Sequence, residues 1–194
     1  MLKYYYGTMA SGKSATLLMN AHQKKKNNIK CLIIKPHDKR DDKVTSRIGL
    51  ESDCIVFYPE DDLFEMFKLK RLSEGITEIY VDECQFLTKE QIHQLWLLSR
   101  GDVTVNCFGL RVTYRNELFT AIQTLSVYAD VEVKLEPTCT CKYCNEDATT
   151  HLLIVDDKAV LDYPEKFEGD VEGDIHFECV CIGCWLERIA KDTQ

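Results

Sequence analysis

The chain has 194 residues, and its 24 Lys and Arg against 32 Asp and Glu give a formal net charge of -8. This length suits one well-buried α/β core with a small appended module, and it is short for two full domains. A hydrophobic fraction of 45% with only 4 Pro excludes long disorder and fibrous repeats, while the acidic charge disfavours a broad basic face that binds nucleic acid.

The first 135 residues alternate short β-rich runs with helical patterns, the order typical of a parallel sheet covered by helices. Thr88 and Gln91 form a capping-box pattern at the start of the third helix. The predicted strands are residues 2–6, 30–34, 54–58, 76–81, 103–108 and 131–135. The predicted helices are residues 14–26, 61–72, 88–99 and 117–125.

The pattern changes after Pro137, so we expect residues 1–136 to form a P-loop-like nucleotide-binding domain and residues 137–194 a second, small domain. In the latter we predict a hairpin of strands 151–155 and 159–163, with Asp156-Asp157-Lys158 as its turn. No apolar run is long enough to span a bilayer, and the N-terminal residues lack the apolar stretch of a signal peptide. We therefore expect a cytoplasmic protein without a membrane partner, whose cysteines are metal ligands and buried thiols.

The sequence GTMASGKS, residues 7–14, matches the phosphate-loop pattern G-x-x-x-x-G-K-[ST] between a predicted strand and a predicted helix. Backbone N–H groups of such a loop bind phosphates, the lysine reaches the β and γ phosphates, and the Ser14 hydroxyl ligates Mg²⁺. The alternative is a glycine turn whose lysine is merely solvated. The predicted ATP-binding residues here are Gly7, Thr8, Met9, Ala10, Ser11, Gly12, Lys13 and Ser14.

The apolar run at residues 76–81 ends in two acids, Asp82 and Glu83. In phosphoryl-transfer sites a carboxylate at such a strand end holds Mg²⁺, which is the role predicted for Asp82. Glu83 leaves the strand where it can reach a substrate hydroxyl and act as general base. The alternative is an acidic strand end followed by a helix cap.

Two C-x-x-C pairs, Cys141 with Cys144 and Cys181 with Cys184, predict a closed tetrahedral zinc site that is structural. The pairs are further apart than the roughly 15 to 20 residues of a simple zinc ribbon, so the metal would tie off a longer loop. Cys139 or Cys179 could substitute as a ligand, and buried or redox-active thiols are the alternative to a metal site.

The chain resembles the thymidine kinase family in the order of three features: the phosphate loop, the acidic strand end and the cysteine pairs. That family includes the human cytosolic enzyme and enzymes of bacteria, poxviruses and some phages. Residues 35–40, 46–49 and 109–119 are also similar to segments of that family. The resemblance covers nearly the whole chain and implies transfer of the ATP γ-phosphoryl group to the 5′-hydroxyl of thymidine, with Glu83 as base and with ATP, Mg²⁺ and structural Zn²⁺ bound.

The resemblance also implies further site residues. Asp82, Glu83, Cys84 and Gln85 would lie on the nucleotide side, and Arg40 and Arg115 match basic positions near phosphates. In this family the zinc site anchors a lasso-like loop that covers thymine through backbone groups. The implied nucleoside-binding residues are Phe86, Tyr114, Val171, Glu172, Gly173 and Phe177.

Several residues depart from the family pattern. Glu172-Gly173 replaces Gly-Gly in the lasso, Phe177 replaces a tyrosine, and Thr113 replaces an aspartate. Thymidine remains the expected substrate, with deoxyuridine next, and the family analogy implies a homotetramer inhibited by thymidine triphosphate. The competing interpretations are a kinase of another nucleoside and an ATP-dependent nucleic-acid-binding module, and the acidic C-terminal region argues against the latter because it would repel phosphates.

Overall fold

A computed structural model describes residues 1–37, 42–135, 140–163 and 174–193 of the chain. Within these ranges no helix is both long and apolar enough to cross a membrane. The chain forms two compact units. The first consists of Met1–Gly7, Gly12–Arg111 and Phe119–Leu135, and the second of Thr8–Ser11, Val112–Leu118 and Glu136–Gln194.

The first unit is a parallel sheet flanked by helices, which confirms the predicted fold class. Its six sheet strands lie in the order β5-β2-β6-β7-β1-β8, and every neighbouring pair is parallel. In chain order the elements are β1 (Leu2–Tyr6), α1 (Lys13–Lys26), β2 (Cys31–Pro36), β3 (Lys43–Thr45), β4 (Glu51–Asp53), β5 (Ile55–Phe57), α2 (Leu63–Glu74), β6 (Glu78–Val81), α3 (Lys89–Ser99), β7 (Thr104–Gly109), α4 (Thr120–Tyr128) and β8 (Val131–Lys134).

The central strands are apolar because helices cover both faces of the sheet. Leu2, Ile34, Ile79 and Val105 are fully or almost fully buried in one core cluster. Strand β7 lies between β1 and β6. The carboxyl ends of β1 and β6 therefore flank the end of β7, at the edge of a parallel sheet where ligands bind in open α/β folds.

All predicted elements of the first unit are present, and the shifted helix ends have local causes. Helix α2 starts after Asp62 because that side chain accepts a hydrogen bond from Glu65 N at 3.0 Å and caps the helix. Helix α4 starts at Thr120 instead of residue 117, because Glu117 O accepts from Thr113 N in the preceding turn. The short antiparallel pair β3 and β4 was not predicted.

The second unit contains an antiparallel sheet and a helix. The sheet order is β10-β9-β11, and the turn between β9 and β10 places Asp156 and Asp157 in left-handed conformations, φ 48° and 63°, as a two-residue hairpin turn requires. The elements are β9 (Thr150–Val155), β10 (Lys158–Ala159), β11 (Ile175–Val180) and α5 (Ile182–Asp192).

The predicted second hairpin strand, residues 159–163, was too long. Beyond Ala159, the carbonyl groups of Leu161 and Tyr163 bind Arg115 instead of a neighbouring strand. Arg115 Nε donates to Leu161 O at 2.7 Å, and its guanidinium also donates to Tyr163 O at 3.0 Å. Helix α5 was not predicted, and its Trp185 packs in the apolar cluster of this unit, as a packing residue should.

The capping box of α3 supplies a stability test. Thr88 Oγ1 accepts from Gln91 N, and Gln91 Oε1 accepts from Thr88 N, both at 3.1 Å. We expect Thr88→Ala to lower the free energy of unfolding by about 1 kcal/mol in urea denaturation, because the Gln91 N–H loses the hydroxyl oxygen that accepts its hydrogen bond. The neighbouring exposed substitution Lys89→Ala should change it by less than about 0.5 kcal/mol, and equal effects of both would contradict the capping role.

Candidate active site and cysteine cluster

The phosphate-loop residues of the first unit lie at the start of α1. Gly12 is the N-cap with φ 77°, a left-handed conformation that favours glycine, and a Cβ there would meet no atom within 4 Å. The first turn of α1 has no acidic residue, so the positive end of this 14-residue helix is not neutralised from within. Lys13 and Ser14, two of the predicted ATP-binding residues, are thus the first residues of a helix whose N-terminus suits an anion.

The remaining loop residues, Thr8–Ser11, belong to the second unit. Ser11 N donates to Thr8 O at 3.2 Å, and Ala10 has a left-handed φ of 63°. The Cys179 thiol donates to Met9 O at 3.2 Å. Cys179, which was considered as an alternative metal ligand, thus has a backbone partner here.

Ser14 and Asp82, the two residues predicted to bind magnesium, meet in the first unit. Asp82 directly follows β6, its N–H donates to Ile34 O at 3.0 Å, and the residue is 5% exposed. The Ser14 hydroxyl donates to Asp82 Oδ2 at 3.0 Å. One hydroxyl and one carboxylate oxygen are therefore adjacent at the end of β6, and oxygen ligands of this kind suit Mg²⁺.

The carboxyl group of Asp82 resists ionisation. Burial raises its pKa to about 6, and the neighbouring Glu83 charge adds to the rise. The hydrogen bond from Ser14, the backbone N–H of Glu83 and the charge of Lys13 act in the opposite direction. A bound cation would favour the ionised form of Asp82, because an opposite charge stabilises a carboxylate.

Glu83 stands at a sharp change of chain direction. Its backbone is left-handed, with φ 51° and ψ 41°, and a 3₁₀ turn, Cys84–Phe86, follows. Gln85 Nε2 donates to Glu83 Oε2 at 2.6 Å. Cys84 lies in the apolar core, where burial raises the pKa of its thiol well above the ordinary value.

The predicted base-binding aromatics occur in both units. In the first, Phe86 is 58% exposed and meets the ring of Phe119 edge to face, with centroids 6.2 Å apart. In the second, the rings of Tyr114 and Phe177 lie 6.5 Å apart, and Tyr114 Oη donates to Tyr163 O at 2.6 Å. The predicted lasso residues Val171, Glu172 and Gly173, together with Arg40 and Cys139, lie outside the described residues.

The second unit brings the four predicted cysteine ligands together. The sulfurs of Cys141, Cys144, Cys181 and Cys184 all lie within 4.8 Å of one another. Cys144 Sγ is 3.7 Å from both Cys181 Sγ and Cys184 Sγ. A tetrahedral zinc with bonds of about 2.3 Å needs S···S separations of roughly 3.8 Å, so the sulfur spacing fits this metal.

The backbone around Cys141 favours its thiolate form, whereas burial and hydrogen bonds with the other cysteines raise the pKa of Cys184. Burial works against ionisation of Cys141, but hydrogen bonds from the backbone at Cys181, Tyr143 and Cys144 bring its pKa to about 7. Lys142 and Tyr143, the two residues between Cys141 and Cys144, both donate to the buried carboxylate of Glu178. Glu178 on β11 therefore fixes the first C-x-x-C turn.

The sequence analysis did not identify the role of Gly109, the last residue of β7. A Cβ at Gly109 would lie 2.5 Å from Gln85 Oε1 and 2.7 Å from Cys84 Sγ. Only glycine lets β7 approach the 3₁₀ turn this closely. The available signal was a glycine at the end of an apolar strand.

Comparisons with known proteins place the chain in one family. The sequence model of the family described as "Thymidine kinase" matches residues 1–185. A thymidine kinase of Shewanella oneidensis is 38% identical over 144 residues, which cover 72% of this chain and 75% of the relative. Thymidine kinases of Photorhabdus laumondii and Escherichia coli K12 are 33% and 31% identical, over 97% and 99% of this chain and 93% of each relative.

The raised pKa of Asp82 predicts a stability change. An acid with a folded-state pKa near 6 and an unfolded value of about 3.9 destabilises the folded state when ionised, above pH 6, and this penalty disappears as the pH falls below both values. We expect Asp82→Asn to raise the free energy of unfolding by roughly 1 to 3 kcal/mol at pH 8 in chelator, measured by urea denaturation.

The gain of Asp82→Asn should shrink as the pH falls through 6. The matched control is Asp53→Asn, at an exposed position of β4, which should change stability by less than about 0.5 kcal/mol. A less stable Asp82→Asn protein at pH 8 would show that burial and the Glu83 charge do not destabilise this carboxylate.

Proposed function

The chain belongs to the thymidine kinase family, and on that premise we propose that it transfers the γ-phosphoryl group of ATP to the 5′-hydroxyl of thymidine. Deoxyuridine is the second substrate. The observation that carries this proposal is the adjacency of Ser14 and Asp82, with Glu83 as the next residue, at the end of β6. Phosphoryl transfer depends on positioning and charge neutralisation, and these residues supply groups for both.

On the ATP side, the phosphate loop of residues 7–14 binds the nucleotide. Backbone N–H groups at the start of α1 and the Lys13 ammonium interact with the β and γ phosphates. Ser14 and Asp82, whose oxygens lie 3.0 Å apart, would hold Mg²⁺, Asp82 directly or through water. Bound magnesium neutralises charge that develops on the transferred phosphoryl group.

Glu83 is the proposed general base. It precedes the 3₁₀ turn at the carboxyl edge of the sheet, where a carboxylate can take a proton from a substrate hydroxyl. The bond to Gln85 occupies one carboxylate oxygen, Oε2. The other oxygen, Oε1, is the proposed acceptor of the proton of the 5′-hydroxyl.

The nucleoside side is the proposed role of residues 137–194, as a zinc-binding lasso domain that covers the base. Tyr114 and Phe177 supply aromatic surface within the second unit, and Phe86 supplies an exposed ring in the first. Val171, Glu172 and Gly173 bind thymine through backbone groups. Such recognition is selective because a base without matching donors leaves buried polar groups unpaired.

Zinc is the proposed structural metal of the cysteine cluster. Four sulfurs satisfy its tetrahedral coordination, so no position remains open for a substrate. The metal would fix both C-x-x-C turns and, through them, the ends of the lasso.

We also propose a cytoplasmic homotetramer that thymidine triphosphate inhibits as the end product. The support for the tetramer and for the inhibition is the resemblance to the family. Nucleic acid and membranes are not among the proposed partners.

The deciding experiment is ATP-dependent phosphorylation of thymidine, deoxyuridine, deoxycytidine and deoxyguanosine, with Mg²⁺ and then with chelator. We expect 5′-monophosphates from the first two only, and none in chelator, because phosphoryl transfer needs the metal charge. Activity confined to deoxycytidine or deoxyguanosine would indicate a kinase of another nucleoside. ATP hydrolysis stimulated by DNA, with no nucleoside phosphorylated, would indicate a nucleic-acid-dependent enzyme.

The zinc proposal predicts about one zinc per chain in protein purified without chelator, measured by elemental analysis. Cys144→Ser should lose most of this metal and make the second unit sensitive to protease, while the first unit stays resistant, because metal binding is coupled to local folding. Cys54→Ser, at a cysteine outside the cluster, is the control and should keep the zinc. A zinc-free wild-type protein with a protease-resistant second unit would contradict the proposal.

A further inference from the structure

Gln85 is one of the few buried polar side chains at the candidate active site. It is 4% exposed and lies in the 3₁₀ turn after Glu83. A buried amide costs free energy unless its donors and acceptor are hydrogen-bonded. The partners of this amide therefore indicate what it does.

Both ends of the Gln85 amide have partners in the first unit. Nε2 donates to Glu83 Oε2 at 2.6 Å, and Oε1 accepts from Leu110 N at 3.0 Å. The orientation of the amide follows from its partners, since a backbone N–H can only donate and an ionised carboxylate can only accept. Gln85 thus connects Glu83 to the end of β7.

The Leu110 peptide is held from its other side as well. The buried hydroxyl of Tyr4 on β1 donates to Leu110 O at 3.2 Å. Burial raises the pKa of Tyr4 above its ordinary value, so this group stays a protonated donor. The hydrogen bonds run from β1 through Leu110 and Gln85 to the Glu83 carboxylate, and their fixed end is the core of the sheet.

Gly109 leaves the space that this connection needs. A Cβ there would overlap Gln85 Oε1, at 2.5 Å, and would also crowd Cys84 Sγ. Position 109 therefore requires glycine for a steric reason. Any larger residue must displace the Gln85 amide or the backbone.

We infer that Gln85 is a positioning residue that orients the Glu83 carboxylate for proton abstraction. The hydrogen bond from Leu110 N holds the Gln85 amide, and the absence of a side chain at Gly109 leaves room for it. The inference rests on the proposed function of Glu83 as general base. It gives Gln85 a role in orienting the general base Glu83, whereas the resemblance to the family placed Gln85 among the nucleotide-binding residues.

The test is a double-mutant cycle with the volume-conserving Gln85→Met and with Glu83→Gln. We expect Gln85→Met to lower kcat at least about tenfold and to leave the KM for ATP within about twofold. In the Glu83→Gln background the same change should lower kcat less than about twofold, because the oriented base is already gone. Equal losses in both backgrounds, an effect confined to the KM for ATP, or no loss would overturn the inference.

Gln91 supplies the matched control, because it is a second buried glutamine whose amide also has a partner at each end. Its Oε1 accepts from Thr88 N and its Nε2 donates to Tyr58 O. Gln91→Met should lower thermal stability and leave kcat unchanged. Gly109→Ala tests the same connection without altering Gln85, so it should reproduce the kcat loss even if Gln85→Met folds poorly.

Hydrogen exchange at Leu110 N–H is a readout that needs no turnover. Gln85→Met should accelerate it and Gln91→Met should not, whereas unchanged protection would overturn the support from Leu110. If wild-type protein phosphorylates no nucleoside, the proposed function fails. Hydrogen exchange at Leu110 N–H would then still show whether Gln85 holds the Leu110 peptide. Full turnover by Glu83→Gln would refute the base role and the positioning of that base with it.

Discussion

Strands β1, β7 and β6 hydrogen-bond side by side in parallel, and the candidate catalytic groups of the first unit depend on that pairing. The register places Tyr6 opposite Gly109 and Val81 opposite Cys107. Asp82 and Glu83 follow the end of β6, and Leu110 follows the end of β7. Ser14 comes after the loop that follows β1. Since a parallel sheet aligns its carboxyl ends, Ser14 and Asp82, which are 68 positions apart in sequence, come to hydrogen-bonding distance through short side chains.

The same edge concentrates unfavourable features that the core has to offset. Two adjacent carboxyl groups, one of them buried, stand where the chain also adopts a left-handed conformation at Glu83. Left-handed backbone at a residue other than glycine is uncommon, and it persists where the surrounding structure holds it. The apolar strands and the helices packed on them supply that support, so local instability at the site is compatible with a stable fold.

Much of the architecture follows from local patterns. Most strands of the main sheet are short, largely apolar runs, and the phosphate loop and the cysteine pairs have spacings that imply their own geometry. The differences have physical causes: Asp62 caps α2 two residues later than its apolar pattern suggests, and β3 and β4 are only three residues each with little apolar pattern. Helix α5 was missed because its first residues were interpreted only as metal ligands.

The site was predictable as a set of residues and not as a network. The acids and the loop are contiguous motifs, whereas the bond between Gln85 and Leu110 joins residues 25 positions apart and leaves no local signature. The burial of Cys84 is of the same kind, because it depends on how closely β7 approaches the 3₁₀ turn.

Two glycines of the first unit illustrate how different constraints can select the same residue. At Gly12 there is room for a Cβ and the obstacle is φ 77°, so the constraint is one of chirality, and a D-alanine would satisfy it. At Gly109 the obstacle is volume, because the nearest atoms belong to Gln85 and Cys84. A change of handedness relieves the first constraint, whereas the second yields only when its neighbours are redesigned together.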